Sequence, residues 1–401
     1  MKLKSSEPFW LIKNGLLHSY PSLRHNAVAE VLIIGGGITG SLIAHQCIKE
    51  GYETVLVDRR EVANGSTSAT TSMLQYEIDV PLYELSGKIG EKGALESYRA
   101  CCRSINDLSE ISREVHSGCE FKKKDSLYFA ALKKDRDRLK KEYEARRKAG
   151  FSVRWLEEDD VRERYGLQNA FGGILSGQAA SADAFRLTHD ILNYNHQKGL
   201  AVYDKTEIRE VSYKPGGVTA VTADGHTIRA RKIIYCNGFE STGIVREKFV
   251  KLISTYAVAG EQNDHLHPEL ANVLIWNTGN PYTYMRVTDD SRLLIGGEDE
   301  DFVNTAKRDA LLGKKQLKLE KRVQRMMPEL DFRTDFAWAG TFGETKDGLP
   351  VIGKHRDFPS AYFVLGFGGN GITFSVTGMQ MVSAMLKNKK HPLEEYFKFR
   401  V

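Results

Sequence analysis

No stretch of this chain reaches the roughly twenty consecutive apolar residues that cross a bilayer, so no integral membrane segment is expected. Cysteine is scarce. The five residues Cys47, Cys101, Cys102, Cys119 and Cys236 are odd in number, include an adjacent pair and show no C-x-x-C spacing. Neither a disulfide framework nor a zinc or dithiol site is indicated, and reduced thiols in a cytoplasmic protein are expected. Residues 1–17 have a charged start but no continuous apolar run and no small-residue cleavage site, so they do not read as a secretory signal. Charge of one sign is lacking too: 57 Lys and Arg stand against 52 Asp and Glu, a net +5. No dense basic stretch is interleaved with aromatics, so nucleic acid is not an expected partner. With 401 residues the chain is too long for one small core and suits two domains.

What is present is concentrated first in residues 30–58, EVLIIGGGITGSLIAHQCIKEGYETVLVD. A β-branched run at 31–34 reads as a buried parallel strand. Gly35, Gly37 and Gly40 then satisfy G-x-G-x-x-G, a helical segment runs to about Glu50, and a second strand ends on Asp58. Gly35 suits a tight turn, Gly37 a close approach of backbone to a pyrophosphate, and Gly40 close helix–strand packing. The helix N-terminus offers free N–H groups and the positive end of its dipole to that pyrophosphate. Asp58 is spaced to accept hydrogen bonds from a ribose diol. Strand, turn, helix, strand and terminal acid in this order predict a site for the adenosine half of a dinucleotide.

The rest of the chain is read around that unit. Residues 1–28 form a polar and aromatic arm expected on the outside of the fold. After Asp58, Arg59 and Arg60 lead into a hydroxyl-rich segment, residues 64–75, placed to wrap phosphates rather than to be a plain surface loop. Helices are expected at 84–116 and 133–149, the second with a solvated charged face, and a strand at 126–132 between them. Another helix, at 185–197, follows Ser181-Ala182-Asp183, where the serine or the aspartate can cap it. Short strands at 208–213, 218–222 and 227–236 precede Cys236-Asn237-Gly238 at a strand's C-terminal edge, where ligands sit in doubly wound sheets. From 251 to 297, strands separated only by turns predict a mostly antiparallel sheet whose aromatics Tyr256, Trp276, Tyr282 and Tyr284 could together wall a pocket, though each alone suits ordinary sheet packing. A helix over 305–327, stopped by Pro328, should cover it. His265 and His267 look like a loop rather than metal ligands. The last seventy residues are expected to return to parallel strands at 336–341, 350–352 and 361–365. A second G-x-G-x-x-G (Gly366, Gly368, Gly371) follows the last of them and opens a helix running to about Leu386. A second nucleotide site would need a further strand with its acid. The alternative is that this helix N-terminus serves the other end of the ligand bound at Gly35.

VLIIGGGITG with Asp58, NGSTSATTSML, YCNGFES, TYMRVTDDSRLLIGGED, and GTFGETKDGLPVIG followed by GFGGNGITFS together resemble the FAD-dependent D-amino acid oxidase superfamily, which includes glycine oxidase and monomeric sarcosine oxidase. The resemblance implies an α/β fold: a Rossmann-type, glutathione-reductase-like FAD domain (1–83, 165–245 and 333–401) and an α+β substrate domain with a mostly antiparallel sheet (84–164 and 246–332). It implies oxidation of a C–N bond by hydride transfer to flavin N5. Carried over by position, Gly35, Gly37, Ile38, Thr39, Gly40, Asp58 and Arg59 hold the ADP half. Ser66, Thr67, Thr70, Thr71, Ser72, Met73 and Leu74 run along the phosphates and flavin, and Ile208, Cys236, Asn237 and Gly238 flank the adenine side. Gly343, Gly368, Gly369, Asn370, Gly371, Ile372 and Thr373 meet the flavin. Residues 340–347 have no cysteine and 66–73 no histidine, the residues through which the family forms covalent flavin links, so non-covalent FAD is expected.

Departures from that pattern bear on substrate. The arginines that hold a substrate carboxylate in glycine and D-amino acid oxidases correspond here to Phe342 and Gly369, and the lysine of sarcosine oxidase to Thr373. A bidentate arginine–carboxylate pair is a strong anchor, and without it a simple amino acid is a doubtful substrate unless Arg286 substitutes from the sheet. The pocket candidates are Met73, Trp276, Tyr284, Arg286 and Phe342. The expected activity is that of a flavin amine or amino-acid-type oxidoreductase with a small-molecule substrate and O2 or another electron acceptor. Two alternatives stay open: a flavin dehydrogenase of a 2-hydroxy acid or polyol passing electrons to a quinone or protein, and a flavin-binding interaction protein with little turnover.

Overall fold

A computed structural model describes residues 1–5, 7–245, 249–365 and 367–399; Gly366, the first glycine of the second motif, lies outside them. The chain builds two sheets. In the first, of eight strands among the described residues, Ala361–Leu365, Thr227–Tyr235, Ala27–Ile34, Thr54–Val57 and Ala201–Tyr203 lie side by side and parallel. Their continuous Val/Ile/Leu runs suit burial on both faces. The helices Ile38–Lys49, Ala184–His196 and Gly371–Leu386 pack together over one face of that sheet. Asp183 caps the second of these, as expected, by accepting from the Arg186 N–H. A hairpin, Ile208–Lys214 with Gly217–Thr222, hangs from strand Thr227–Tyr235.

The second sheet has nine strands among the described residues and is antiparallel except where Val273–Asn277 runs parallel to Lys122–Phe129. Helix Leu312–Met326 covers it, burying Leu319 and Val323. The single helix expected over 305–327 is two, Thr305–Ala310 and Leu312–Met326, parted at Leu311.

Three expectations are corrected. The strand expected at 336–341 is Thr334–Glu344 and belongs to the antiparallel sheet, paired with Lys251–Gln262. Val351–Lys354 runs antiparallel to Ala361–Leu365. A short apolar run carries no record of its strand's direction, which pairing partners decide. The N-terminal arm is not an outside attachment either. Residues 3–5 pair with the edge of Thr334–Glu344, the Thr341 N–H donating to Leu3 O at 2.7 Å and the Ser5 N–H to Ala339 O at 2.8 Å. The helix Phe9–Asn14 then buries both Phe9 and Trp10.

The charged helix Arg136–Lys148 is solvated on most of its surface but not all. Leu139, Glu142 and Arg146, spaced for one helical face, are buried. The Arg146 guanidinium donates to Glu142 at 2.6 Å and reaches Glu77 at 3.4 Å. Charge at helical spacing predicts exposure only until a partner of opposite sign is supplied by another element, here Glu77.

Candidate cofactor and substrate site

The glycine motif is built as its spacing requires. Gly35 has φ +109°, and a side-chain carbon there would stand 2.5 Å from Cys236 O; one at Gly40 would overlap Gly35 O. Helix Ile38–Lys49 has no side-chain N-cap, and only its Ile38 N–H is taken by a hydroxyl, that of Thr67 at 3.1 Å. The dipole's positive end is thus left for an anion. Asp58 sits at the end of its strand with one carboxylate oxygen accepting from the Gly36 N–H and the other from the Arg60 N–H, both at 2.8 Å. Burial raises its pKa and these two amides pull it back. Each oxygen keeps a lone pair for a ligand hydroxyl.

From this unit a continuous cavity of about 550 Å³ extends to the antiparallel sheet, in the size range of small-molecule and cofactor sites. At the Asp58 end its wall includes Ile208, Arg209, Cys236, Asn237 and Gly238, with Arg59 and Arg60 both bridged to Glu240. Along the middle run Gly35, Gly37, Ile38, Thr39, Ser66, Thr67, Thr70 and Thr71. At the far end stand Met73, Trp276, Tyr282, Tyr284, Phe342 and the turn Gly368, Gly369, Asn370, Gly371 and Ile372. The two helix starts meet there, joined by a 2.7 Å hydrogen bond between the Thr39 and Ser375 hydroxyls. The second glycine turn therefore closes the cavity that the first one opens.

The middle loop is oriented by groups from elsewhere in the chain. The Trp338 indole N–H donates to Ala69 O at 2.8 Å, that of Trp10 to Thr70 O at 2.6 Å, and Arg286 Nη1 to Ser72 O at 2.7 Å and Ala182 O at 3.0 Å. The carbonyls of Ala69, Thr70 and Ser72 are thus held by donors from within the protein. Arg286 is a correction to the pocket reading. It is buried, lies 5.4 Å over the Trp10 ring and forms no part of the cavity wall. Burial lowers its pKa to about 10, with Asp183, Asp289 and Asp290 holding it up, so it remains charged at neutral pH.

Five further residues of the sequence-based set are placed behind the wall rather than in it. Gly40 packs on Gly35, Ser72 and Leu74 are buried under the loop, and Gly343 fits against Phe239 and Val250. The Thr373 hydroxyl donates to Asn370 O at 2.9 Å within the helix start.

Sequence reasoning passed over Leu3, Gln75, Asp79 and Thr255, all in the wall. Asp79 is an exposed residue that lines the cavity, one oxygen accepting from the Gly369 N–H at 2.8 Å; desolvation by the surrounding protein raises its pKa and that amide pulls it back. The signal available was its place six residues after Met73, on the segment leaving the phosphate loop. Among the described residues no group of His, Cys, Asp and Glu could hold a metal ion, and no helix is long and apolar enough to cross a membrane.

The wall fits a flavin dinucleotide. Ser66 Oγ, Asn237 Oδ1 and Gln75 Nε2, on residues that line the cavity, are buried with no hydrogen-bond partner among the described residues, and such orphans are costly unless a ligand supplies partners. Comparison with known proteins agrees. The family model described as FAD dependent oxidoreductase matches residues 30–384. A putative Rieske 2Fe-2S iron-sulfur protein, YhfW, of Bacillus subtilis (strain 168) is 24% identical over 402 residues, covering 98% of this chain and 75% of that protein. Glycine oxidase of Bacillus licheniformis is 26% identical over 378 residues, covering 90% and 93%. The crystal structure of glycine oxidase from Geobacillus kaustophilus superposes with a TM-score of 0.76 at 20% identity, covering 94% of this chain and 99% of that one.

Proposed function

Because the chain belongs to the FAD-dependent oxidoreductase family, we propose that it oxidises the C–N bond of an amine or amino-acid-like substrate held between the far end of the cavity and the flavin. One observation carries this: the cavity that begins at Gly35 and Asp58 ends, past the start of helix Gly371–Leu386, against the aromatic wall of Trp276, Tyr282, Tyr284 and Phe342. The likeness to glycine oxidases over nearly the whole chain supports the same substrate type. Bound there, FAD would supply the two-electron acceptor for a hydride from the carbon next to nitrogen of the neutral amine, leaving an iminium for water to hydrolyse.

The protein's own part is positioning. In this reading Asp58 holds the ribose diol, the two helix starts take the pyrophosphate and the electron-rich edge of the ring system, and the aromatic wall excludes water and aligns the C–H bond. Attachment is non-covalent. The described residues lining the cavity include no histidine, and Cys236 is a poor nucleophile because burial pushes its thiol well up.

The test is anaerobic mixing of the yellow holoprotein with primary and secondary amines, amino acids, 2-hydroxy acids and polyols. Bleaching by members of the amine and amino-acid set alone is expected, and acid should release all of the FAD into solution. Bleaching only by 2-hydroxy acids or polyols would replace this reading with the dehydrogenase one, and colour retained on the precipitate would refute the non-covalent attachment.

A further inference from the structure

The substrate end of the cavity has an excess of negative charge. Of its cationic neighbours, Arg286 lies outside the wall and donates through Nη1 to two backbone carbonyls, its Nε buried without a partner among the described residues, and Arg59, Arg60 and Arg209 belong to the opposite end, with Asp58 and Ile208. Among the described residues, no lysine or arginine lines the part bounded by Trp276, Tyr282, Tyr284 and Phe342. Two carboxylates, Glu77 and Asp79, do line it.

Glu77 meets Arg146 at 3.4 Å through one oxygen and accepts from the Ser126 hydroxyl, while burial raises its pKa. Asp79 takes the Gly369 N–H and has no ion-pair partner among the described residues. Behind the wall Asp299 bonds the Thr255 hydroxyl, and its Oδ1 is a buried acceptor without a donor among the described residues. Burial, and after it the charge of Asp79, pushes the Tyr282 hydroxyl well up.

Gly368 and Gly369 complete the arrangement. A side-chain carbon on either would fall onto the Asp79 carboxylate, 2.6 Å from Oδ1 in the case of Gly369. Absence of side chains at these two positions is what lets a carboxylate occupy the turn. Trp276, stacked at 3.6 Å on Tyr128, and Tyr282 and Tyr284, 5.4 Å apart, supply electron-rich ring surfaces to the same wall. Buried acceptors that lack donors, together with aromatic faces, are complementary to an organic cation and repel an anion.

We propose that the cavity recognises its substrate as a cation, an alkyl or arylalkyl ammonium without a carboxylate next to the reacting carbon, with Asp79 as the anchoring charge and Trp276, Tyr282, Tyr284 and Phe342 as the surrounding box. This rests on the amine-oxidoreductase reading and narrows it to carboxylate-free amines.

The experiment separates recognition from turnover by using a ligand that cannot be oxidised. The 2-phenylpropan-2-ammonium ion keeps three N–H donors but has no hydrogen on the carbon next to nitrogen. Its neutral isostere is 2-phenylpropan-2-ol, and benzoate is the anionic comparison. Each is titrated against the oxidised flavin spectrum of the holoenzyme. The ammonium ion should perturb the spectrum saturably with at least tenfold tighter binding than the alcohol or benzoate. Asp79→Asn, isosteric and still able to accept from the Gly369 N–H, should weaken the ammonium ion at least tenfold and leave the alcohol unchanged. Phe342→Arg, made away from the Gly369 turn, should abolish binding of the ammonium ion and tighten benzoate.

Benzoate binding as tightly as the ammonium ion to the unmodified protein, or an ammonium titration unmoved by both substitutions, overturns the proposal. The two readings fail separately. A holoenzyme bleached by amines but preferring benzoate loses the cation site and keeps the function. One that binds the ammonium ion but is bleached only by 2-hydroxy acids keeps the site and loses the function.

Discussion

Arg286 and Tyr284 share one face of strand Tyr284–Val287 because they are two residues apart, yet only Tyr284 reaches the cavity. Two residues along a strand is nearly 7 Å, enough to carry the arginine under the Ser72 loop, where it meets the carbonyls of Ser72 and Ala182. Its work is therefore to hold the loop. Arg286→Leu leaves two buried carbonyls without donors, and we expect it to lower unfolding stability by about 2–4 kcal/mol, read as an earlier urea midpoint of the apoprotein. Benzoate affinity of any surviving holoprotein should not change; a specific loss of benzoate binding at unchanged stability would return Arg286 to the pocket. Residue type made this arginine visible in the sequence, but its target was not, since the carbonyls come from segments over one hundred positions away.

At the scale of elements, the N-terminal arm is where sequence and structure part most. Its composition, polar with a few aromatics and no strand pattern, suggested an outside position. Instead residues 3–5 extend the antiparallel sheet at Thr334–Glu344, Leu3 enters the cavity wall, and Met1 O accepts from Arg59 at 3.1 Å and Arg60 at 2.9 Å. Three residues are too short for an alternation to be legible; an open sheet edge supplies the template. Removing residues 1–7 takes away one buried leucine side chain, worth about 1.5–3 kcal/mol, and uncovers the loop 59–70. We expect FAD to bind about tenfold or more weakly, measured by the fluorescence of free FAD on dilution, with the helix Phe9–Asn14 and its Trp10 contact retained. Unchanged retention would mean that the arm merely covers a sheet edge. By contrast, the helices Ile38–Lys49, Ala184–His196 and Gly371–Leu386 were legible almost to their ends, because each carries a sustained apolar face and an identifiable start in a glycine turn or at Asp183.

Across the whole molecule, two glycine turns face one cavity, and they are not equivalent. The first presents helix N–H groups and its own acid, Asp58, set back at a strand end. The second has the Asp79 carboxylate lying against Gly368 and Gly369 and taking the Gly369 N–H. A pyrophosphate brought to that turn would meet the Asp79 carboxylate at contact distance, and like charges so close disfavour a second anion there. NADH and NADPH should accordingly fail to bleach the flavin under anaerobic conditions; saturable bleaching by either would show a nucleotide site that the Asp79 geometry forbids.

The sequence by itself determined the dinucleotide unit, since its turn, helix start and acid are neighbours in the chain and their spacing is their geometry. It also determined the antiparallel character of residues 251–297, where strands follow one another with only turns between. Tertiary structure alone decided which side chains share the substrate end. Asp79 leaves the phosphate loop, Gly369 opens a helix almost three hundred residues later, and Trp276 and Tyr284 come from the second sheet. No local pattern records such a meeting, because it follows from how the two sheets and the helix Gly371–Leu386 pack, and the sign of charge in the pocket is the sum of contributions that only packing brings together.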